Sequence, residues 1–137
     1  MTSRLNPYLA FRNDAREAMT FYQQVLGGEL AISTFGDFGS ADENTDPNGV
    51  MHALLETPLG FTLMASDAPN HMDLVVGTNI TLSISGTDGD ALRGYFDQLT
   101  QGGVVQMPLQ KQVWGDEFGM GTDKFGIAWM VNITPGT

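Results

Sequence analysis

The sequence predicts an α+β fold built from two βαβββ modules, and three features indicate it. In each half, apolar residues recur at helical spacing over one segment, 14–26 in the first half and 88–100 in the second. A pair of glycines, at 27–28 and again at 102–103, follows each segment at the place where glycine usually ends a helix. Strand-like segments stand in the same order in both halves, one before the helix and three after it. Both halves therefore share the order strand, helix, strand, strand, strand.

The first module is predicted over 5–66. Its opening strand, 5–11, is apolar, and Asp14 is the expected N-cap of the helix, with Glu17 in the position of a capping box. The later strands of this module are expected at 30–34, 50–57 and 60–65, with an acidic loop over 37–49 and a hairpin turn at Pro58-Leu59.

The second module is predicted over 79–133 as a repeat of the first. The aligned segments are 6–11 with 79–84, Tyr22 with Tyr95, and 60–64 with 126–130. Residues 1–137 are expected to form a single domain. Its eight strands are expected to enclose a concave groove that is lined by alternate strand residues.

Composition and charge exclude several classes of function. Sixteen acidic residues against six basic ones give a net charge of −10, which opposes binding to nucleic acid or to an anionic membrane surface. The chain has no cysteine, so disulfides, thiolate metal sites and cysteine nucleophiles are excluded. A membrane-spanning helix needs about 18 consecutive apolar residues, and no stretch of the sequence has them. The first residues also lack the pattern of a signal peptide. A cytoplasmic protein is therefore expected.

Several short segments of the chain are typical of one protein family. They are Asn6-Pro7-Tyr8-Leu9, 17–22, 26–30, 51–53, 63–67, 107–109, Trp114-Gly115 and, most specifically, the closing run 118–132. With these segments the chain resembles the PhnB-like branch of the vicinal oxygen chelate superfamily, also called glyoxalase/bleomycin resistance/dioxygenase proteins. Some members carry the label 3-demethylubiquinone-9 3-methyltransferase-like. That label has no support here, because 137 residues leave no room for a doubly wound cofactor domain.

The resemblance implies paired βαβββ modules, usually in a homodimer. Metal-dependent members of the superfamily place four His, Glu or Asp ligands on the first and last strands of each module. The matching positions here are Asn6, Met64, Asn79 and Met130. Amides and thioethers are poor substitutes for the carboxylates and imidazoles that hold divalent ions. We therefore expect no metal and no other cofactor.

The sequence contains two histidines, His52 and His71. His52 is predicted to lie in a strand with Glu56 on the same face, about 7 Å along the strand, where it could serve as a base or a ligand-binding group. The alternative is a half-exposed strand histidine that is hydrogen-bonded to a neighbour. His71 is expected to be a solvated loop residue.

The other candidates for ligand contact are aromatic and thioether side chains. Tyr8 stands in the first predicted strand, and Trp114 stands in a turn where it is expected to line a groove or a dimer contact. Trp129 is expected in the core, and 123–126 is expected to be a tight turn rather than a functional cluster. Five methionines on predicted strands are either core or an adaptable ligand lining: Met51, Met64, Met107, Met120 and Met130.

Two functions remain open from the sequence. The first is metal-independent binding of a small, partly apolar ligand. Its expected contact residues are Asn6, Tyr8, His52, Glu56, Met64, Asn79, Trp114 and Met130. The alternative is a lyase- or isomerase-type enzyme of the same superfamily in which His52 transfers a proton. The expected partners are the small molecule and a second copy of the chain.

Overall fold

The structure is a computed structural model, and it describes residues 3–39, 45–69 and 72–135. The chain divides into two compact units, Met1–Val75 (unit 1) and Val76–Thr137 (unit 2). His71 and residues 40–44 of the predicted acidic loop lie outside the described residues. The single domain and the groove expected between the modules stay predictions.

Unit 1 combines an α-helix with a four-stranded sheet. Its elements are β1 (Tyr8–Phe11), α1 (Ala15–Leu26), β2 (Glu29–Thr34), a short 3-10 helix (Gly36–Phe38), β3 (Val50–Glu56) and β4 (Thr62–Asp67). The strand order is β1-β4-β3-β2, in which β1 is parallel to β4 and the other neighbours are antiparallel.

Unit 2 has the same topology. Its elements are β5 (Leu82–Gly86), α2 (Gly89–Leu99), β6 (Val104–Lys111), β7 (Glu117–Thr122) and β8 (Ala128–Ile133). The strand order is β5-β8-β7-β6, and β5 is parallel to β8. The predicted α+β class is therefore confirmed, with two four-stranded sheets that each follow the order βαβββ.

Each helix covers one face of the sheet in its own unit, because its apolar residues form a single stripe. In unit 1, α1 packs against β2, β3 and β4, and in unit 2, α2 packs against β5, β7 and β8. Each large apolar side chain that this packing removes from water contributes about 1.5–3 kcal/mol. The buried helix residues are Ala15, Ala18, Met19, Tyr22, Val25 and Leu26 in α1, and Leu92, Phe96 and Leu99 in α2.

Asp14 is the N-cap residue of α1, as predicted, but the capping box predicted with it is wrong. The Asp14 side chain makes no cap hydrogen bond, and the backbone N–H of Ala15 donates instead to Asp67 Oδ1 at 3.0 Å. Asp67 Oδ2 accepts the backbone N–H of Val50, also at 3.0 Å. Partial burial is the main cause that raises the pKa of Asp14, and the charge of Asp67 adds to it. One buried carboxylate at the end of β4 thus joins the start of α1 to the start of β3.

The predicted alignment of the two modules is correct in the last strand and wrong in the first. Met64 in β4 corresponds to Met130 in β8, because each stands at the same distance behind the hairpin turn that precedes its strand. The β1 partner of Met64 is Tyr8, whereas the β5 partner of Met130 is Ser83. Tyr8 therefore corresponds to Ser83, two residues away from the predicted alignment.

The helices are aligned one residue away from the prediction. They begin at Ala15 and Gly89, so Tyr22 of α1 corresponds to Phe96 of α2. Tyr22 and Phe96 are both buried, whereas Tyr95 is only partly buried. The predicted alignment of Tyr22 with Tyr95 is therefore wrong, because Phe96 occupies the position in α2 that Tyr22 occupies in α1.

Gly28 and Gly103 hold the same place in the two modules, and neither position has room for a side chain. A Cβ on Gly28 would lie 2.0 Å from the carbonyl oxygen of Glu56, and a Cβ on Gly103 would lie 2.0 Å from that of Thr122. Gly28 also has a φ of +98°, which favours glycine. The glycine pairs that end the helices thus also let β2 and β6 begin close to the ends of β3 and β7.

The turn predicted at 123–126 is confirmed, and the Asp123 carboxylate organises it. Asp123 Oδ1 accepts the backbone N–H groups of Phe125 at 2.8 Å and Ile127 at 3.1 Å. Asp123 Oδ2 accepts the indole Nε1–H of Trp129 at 2.8 Å. Trp129 is buried, as expected, and this bond satisfies its polar atom inside the core.

Asp67→Ala is expected to lower the free energy of unfolding by about 2–5 kcal/mol, because it leaves two buried N–H groups without their acceptor. Chemical denaturation measures the change. Ser66→Ala, one residue earlier on the opposite face of β4, is the matched control, with an expected change of about 1 kcal/mol or less. Equal stability of the two variants would contradict the role assigned to Asp67.

An ion pair joins α2 to β7 in unit 2. Arg93 Nε donates to Glu117 Oε1 at 3.2 Å, and Arg93 Nη2 donates to Glu117 Oε2. Arg93 Nη1 also donates to Asp90 Oδ1 at 3.2 Å. The hydrogen bond from Arg93 is the main cause that lowers the pKa of Glu117 below its usual range.

Arg93→Gln is expected to raise the pKa of Glu117 towards its ordinary value. Because the folded pKa is lowered, the pair contributes stability above the unfolded pKa of the carboxyl group and loses it as the pH falls through the folded pKa. The stability difference between the native chain and the variant should therefore shrink in that acidic range. Denaturation at several pH values and NMR titration of Glu117 measure both effects, with Arg4→Gln in unit 1 as the control. The same Glu117 titration in both proteins would refute this account.

Candidate functional site

The candidate site lies on the face of the unit 1 sheet that α1 does not cover. In β3 and β4, buried residues such as Ala53 and Ala65 face α1, and the residues that alternate with them point the other way. We call this surface the helix-free face of unit 1. Its central residues are Tyr8, Ala10, His52, Leu54, Glu56, Thr62, Met64 and Ser66.

Tyr8, His52 and Met64 come together on this face. Tyr8 is the β1 partner of Met64, and Met64 is the β4 partner of Leu54. The Tyr8 hydroxyl and His52 Nδ1 share a hydrogen bond of 3.3 Å, and the centroids of the two rings lie 5.8 Å apart. Tyr8 is 51% exposed, while His52 and Met64 are partly buried. A small molecule can therefore reach all three side chains.

The hydrogen bond to Tyr8 determines what His52 can offer at its other ring nitrogen. When Nδ1 carries the proton, it donates to the Tyr8 oxygen, and Nε2 is a base. When Nδ1 is unprotonated, Tyr8 donates to it, and Nε2–H of the neutral ring is a donor. Either form of His52 can bind a polar group, and the first form can also accept a proton.

Glu56 lies on the same face as His52 but is too far away to act on it directly. The two residues are four positions apart on β3, which corresponds to about 13 Å along the strand. The expected separation of about 7 Å was wrong, because it is the distance to the second residue, Leu54. Glu56 is exposed and pairs with Thr62 of β4 at the far end of the face.

Asn6 and Asn79 lie just before the first strand of each unit, outside the sheets. Asn6 stands two residues before β1 and is partly buried. Asn79 stands three residues before β5 and is exposed. Because Tyr8 corresponds to Ser83, the two asparagines do not occupy equivalent positions, and the symmetric Asn–Asn substitution expected from the sequence was wrong.

Unit 2 presents a matching surface that α2 does not cover, which we call the helix-free face of unit 2. Its residues on the regularly paired strands β5, β7 and β8 are Ser83, Ser85, Phe118, Met120, Thr122, Ala128, Met130 and Asn132. Trp114 lies against Phe118 edge-on, with ring centroids 6.2 Å apart. Trp114 is 59% exposed, so it is not a core residue. Its contact with a groove or a dimer partner stays a prediction.

Two contacts were missed by sequence reasoning, for different reasons. Tyr8 and His52 are 44 residues apart, and no local pattern connects them. Trp114 and Phe118 are only four residues apart across a turn at Gly115, and this aromatic spacing could have indicated their contact. Local contacts can leave a signal in the sequence, whereas contacts across the sheet depend on the strand register.

The donor atoms on the first and last strands do not fit a divalent metal ion. With the observed register, the corresponding residues are Tyr8 and Met64 in unit 1, and Ser83 and Met130 in unit 2. Two hydroxyls and two thioethers are poor ligands for ions that favour carboxylates and imidazoles. Among the described residues, no three His, Cys, Asp or Glu side chains are placed to hold a metal.

A recess of about 610 Å³ lies in unit 2 beside the start of α2. Its charged lining residues are Asp88, Asp90, Arg93, Lys111 and Glu117. Arg93 already pairs with Asp90 and Glu117, so much of this lining is engaged within the chain. A partly apolar ligand is expected to favour apolar walls with a few polar groups, as the helix-free faces offer.

Comparison with known proteins assigns the family. The family model of the Glyoxalase/Bleomycin resistance protein/Dioxygenase superfamily matches residues 4–131. The chain belongs to this superfamily. The resemblance found in the sequence is therefore confirmed at the level of the superfamily. Neither α1 nor α2 has the length and hydrophobicity that a membrane crossing requires.

Relatives of the chain match it over nearly its whole length. Protein YjdN from Escherichia coli (strain K12) is 30% identical over 141 residues, which cover 94% of this chain and 94% of YjdN. The crystal structure of protein PA1353 from Pseudomonas aeruginosa matches with 37% sequence identity and a TM-score of 0.85. The match covers 98% of this chain and 100% of the PA1353 chain. The PhnB protein from Bacillus cereus shares the fold, with 24% identity, coverage of 96% and 100%, and a TM-score of 0.77.

Tyr8→Phe is expected to move the ¹⁵N signal of His52 Nδ1, because it removes the hydroxyl that shares a hydrogen bond with this nitrogen. Histidine side-chain NMR measures the shift. Tyr95→Phe, a tyrosine on α2 in unit 2, is the control and should leave the signal in place. An unchanged Nδ1 signal in Tyr8→Phe would contradict the contact.

Proposed function

We propose that the protein binds a small, partly apolar molecule on the helix-free face of unit 1, without a metal ion. The observation that carries this proposal is the 3.3 Å hydrogen bond between Tyr8 and His52 beside the Met64 thioether. A few polar groups next to an adaptable apolar side chain are the usual composition of a small-molecule site.

Each residue of this face has a distinct part in the proposed binding. His52 Nε2 and the Tyr8 hydroxyl fix the orientation of a polar group on the ligand, while Met64 and Leu54 contact its apolar part. Glu56, at the end of the face, favours a neutral or cationic ligand over an anionic one. Asn6 lies before β1, and Asn79, Trp114 and Met130 belong to unit 2, so these four predicted ligand contacts have no part in the binding proposed for this face.

A second candidate function is proton transfer by His52 in a lyase- or isomerase-type reaction. The observation that favours it is the same hydrogen bond, because in the tautomer whose Nδ1–H donates to the Tyr8 oxygen, Nε2 is unprotonated and can act as a base. Glu56 is too far from His52 to orient the imidazole ring, so the hydrogen bond with Tyr8 orients it instead. His52 would then exchange a proton with the bound molecule at Nε2.

Calorimetry tests the proposed binding, and an assay for turnover separates the two functions. A library of neutral aromatic fragments is screened by thermal shift, and the tightest binder is titrated into the native chain, Tyr8→Phe and His52→Gln. Loss of a hydrogen bond to the ligand should weaken binding by about tenfold or more in His52→Gln, which corresponds to about 1.4 kcal/mol. Glu17→Gln, an exposed position on α1, which covers the opposite face of the sheet, is the control.

The proposal fails if both Tyr8→Phe and His52→Gln bind the fragment as tightly as the native chain does. If the bound compound is converted, a bell-shaped or sigmoidal pH–rate profile that disappears in His52→Gln would favour the enzyme. Binding without turnover in the native chain would favour the binding protein.

We also propose that the protein is a homodimer in the cytoplasm. The edge strands of the two sheets are β1, β2, β5 and β6, and β6 carries the exposed apolar residues Val104, Val105 and Met107. Unpaired edges with exposed apolar side chains are unfavourable in a monomer, and a symmetric partner can cover them. Light scattering at high concentration should give twice the 14.8 kDa of the chain. A species of one chain mass alone would contradict the dimer.

A further inference from the structure

Ser33 of β2 lies beside His52 on the helix-free face of unit 1. Five consecutive residue pairs join β2 to β3 without interruption, and the pair of Ser33 with His52 is the last of them. Residues directly opposite each other in antiparallel strands project to the same face, with Cβ atoms about 4.5–5.5 Å apart. Both side chains are partly buried. Because Tyr8 stands in β1 and the strand order is β1-β4-β3-β2, Ser33 flanks the imidazole on the side away from Tyr8.

A β-bulge interrupts β3 directly beyond this pair. The next residue of β2, Thr34, pairs with Val50, so Met51 is an extra residue on β3. The burial of β3 shows the same irregularity, since its buried residues stand at intervals of three and then two positions: Val50, Ala53 and Leu55. Bulges are over-represented next to active sites, where they re-aim a side chain. The bulge here stands between the core residue Val50 and the candidate ligand-binding residue His52.

Two carboxylates fix the backbone at the bulge. In β2, the backbone N–H of Thr34 donates to Asp37 Oδ2 at 2.9 Å, and Thr34 Oγ1 accepts the backbone N–H of Asp37 at 3.1 Å. In β3, the backbone N–H of Val50 donates to Asp67 Oδ2. The backbone next to the serine and the histidine is therefore ordered before a ligand arrives, which lowers the entropy cost of binding.

Two polar atoms of the pair are available to a ligand. Tyr8 occupies His52 Nδ1, while within the described part of the chain neither His52 Nε2 nor Ser33 Oγ has a hydrogen-bond partner. Nε2 accepts a hydrogen bond in one neutral tautomer and donates one in the other, and a serine hydroxyl can do either. The pair can therefore offer one donor and one acceptor whichever tautomer His52 adopts.

The opposite end of the same face is negatively charged. Glu29 of β2 and Glu56 of β3 lie directly opposite each other, and both are exposed. Arg4, whose Nη1 donates to Thr62 Oγ1 at 3.3 Å, offsets only one of these two charges. A negative potential opposes the approach of an anion. The polar group that reaches His52 is therefore expected to be neutral rather than a carboxylate.

We propose that Ser33 and His52 together bind a neutral amide group of the ligand. A primary amide carries a donor and an acceptor on one planar group, so it can bond to both residues in either tautomer. When Nε2 accepts from the amide N–H, the Ser33 hydroxyl donates to the amide oxygen, and in the other tautomer the two roles are exchanged. This inference rests on the proposed function, because it adds a residue and a ligand class to the same site.

Three fragments with the same aromatic ring separate the ligand classes. Benzamide both donates and accepts hydrogen bonds, acetophenone only accepts them, and benzoate carries a negative charge. NMR titration of the native chain should show that benzamide binds about fivefold or more tightly than acetophenone, because the ketone leaves one polar atom of the pair unsatisfied. Benzoate should bind most weakly of the three, because the charge of the face repels it.

Ser33→Ala should remove most of the preference for benzamide, because only His52 then remains to bond to the amide. Benzamide should bind this variant about fivefold or more weakly than the native chain, while the affinity for acetophenone should change less. Ser33→Thr keeps a hydroxyl and should keep the preference. Ser85→Ala, at an exposed serine of β5 in unit 2, is the matched control and should behave as the native chain does. Amide NMR spectra verify that each variant is folded.

Equal affinities for benzamide and acetophenone in the native chain would overturn this inference, and so would an unchanged preference in folded Ser33→Ala. Failure of benzamide to bind, or tighter binding of benzoate, would overturn it as well. The proposed function is tested separately, by whether Tyr8→Phe and His52→Gln weaken fragment binding. A chain that binds fragments through Tyr8 and His52 without any effect of Ser33 would retain the proposed function and refute the amide site.

Discussion

The architecture rests on one constraint, which is that each sheet has two faces and its helix covers only one of them. Along a strand, successive side chains alternate between the faces, so every residue buried against the helix has a neighbour on the other side. In unit 1 this alternation puts Ala53 and Leu55 against α1, and it puts His52 and Leu54 on the helix-free face. The residues available for binding are therefore fixed by the same pattern that builds the core.

Most of the fold could be predicted from the sequence because its signals are local. Helical periodicity, glycine pairs and the turn at 123–126 all act within a few residues, and the structure confirms each of them. The register between β1 and β4, the Asp67 carboxylate that replaces the capping box, and the contact of Tyr8 with His52 depend on residues that are distant in the chain. Periodicity within a single strand carries no information about its register against another strand.

The two modules have kept the same frame and changed the chemistry of their helix-free faces. Met64 and Met130 occupy the same place, but Met64 has Tyr8 and Leu54 as neighbours, whereas Met130 has Ser83 and Met120. One face thus combines an oriented imidazole with apolar groups, and the other combines thioethers with hydroxyls. A duplicated fold allows this, because the helix-facing residues hold the sheet together while the alternate residues are free to diverge.

The central claim is that the helix-free face of unit 1 is a binding surface that needs no divalent metal. The most direct measurement is amide and methyl NMR mapping of an aromatic fragment library on chelator-treated protein. The largest shifts are expected on Tyr8, His52, Leu54 and Met64, and they should be the same with and without added Zn²⁺. Shifts confined to the α1 side of the sheet, or shifts that appear only after Zn²⁺ is added, would contradict it.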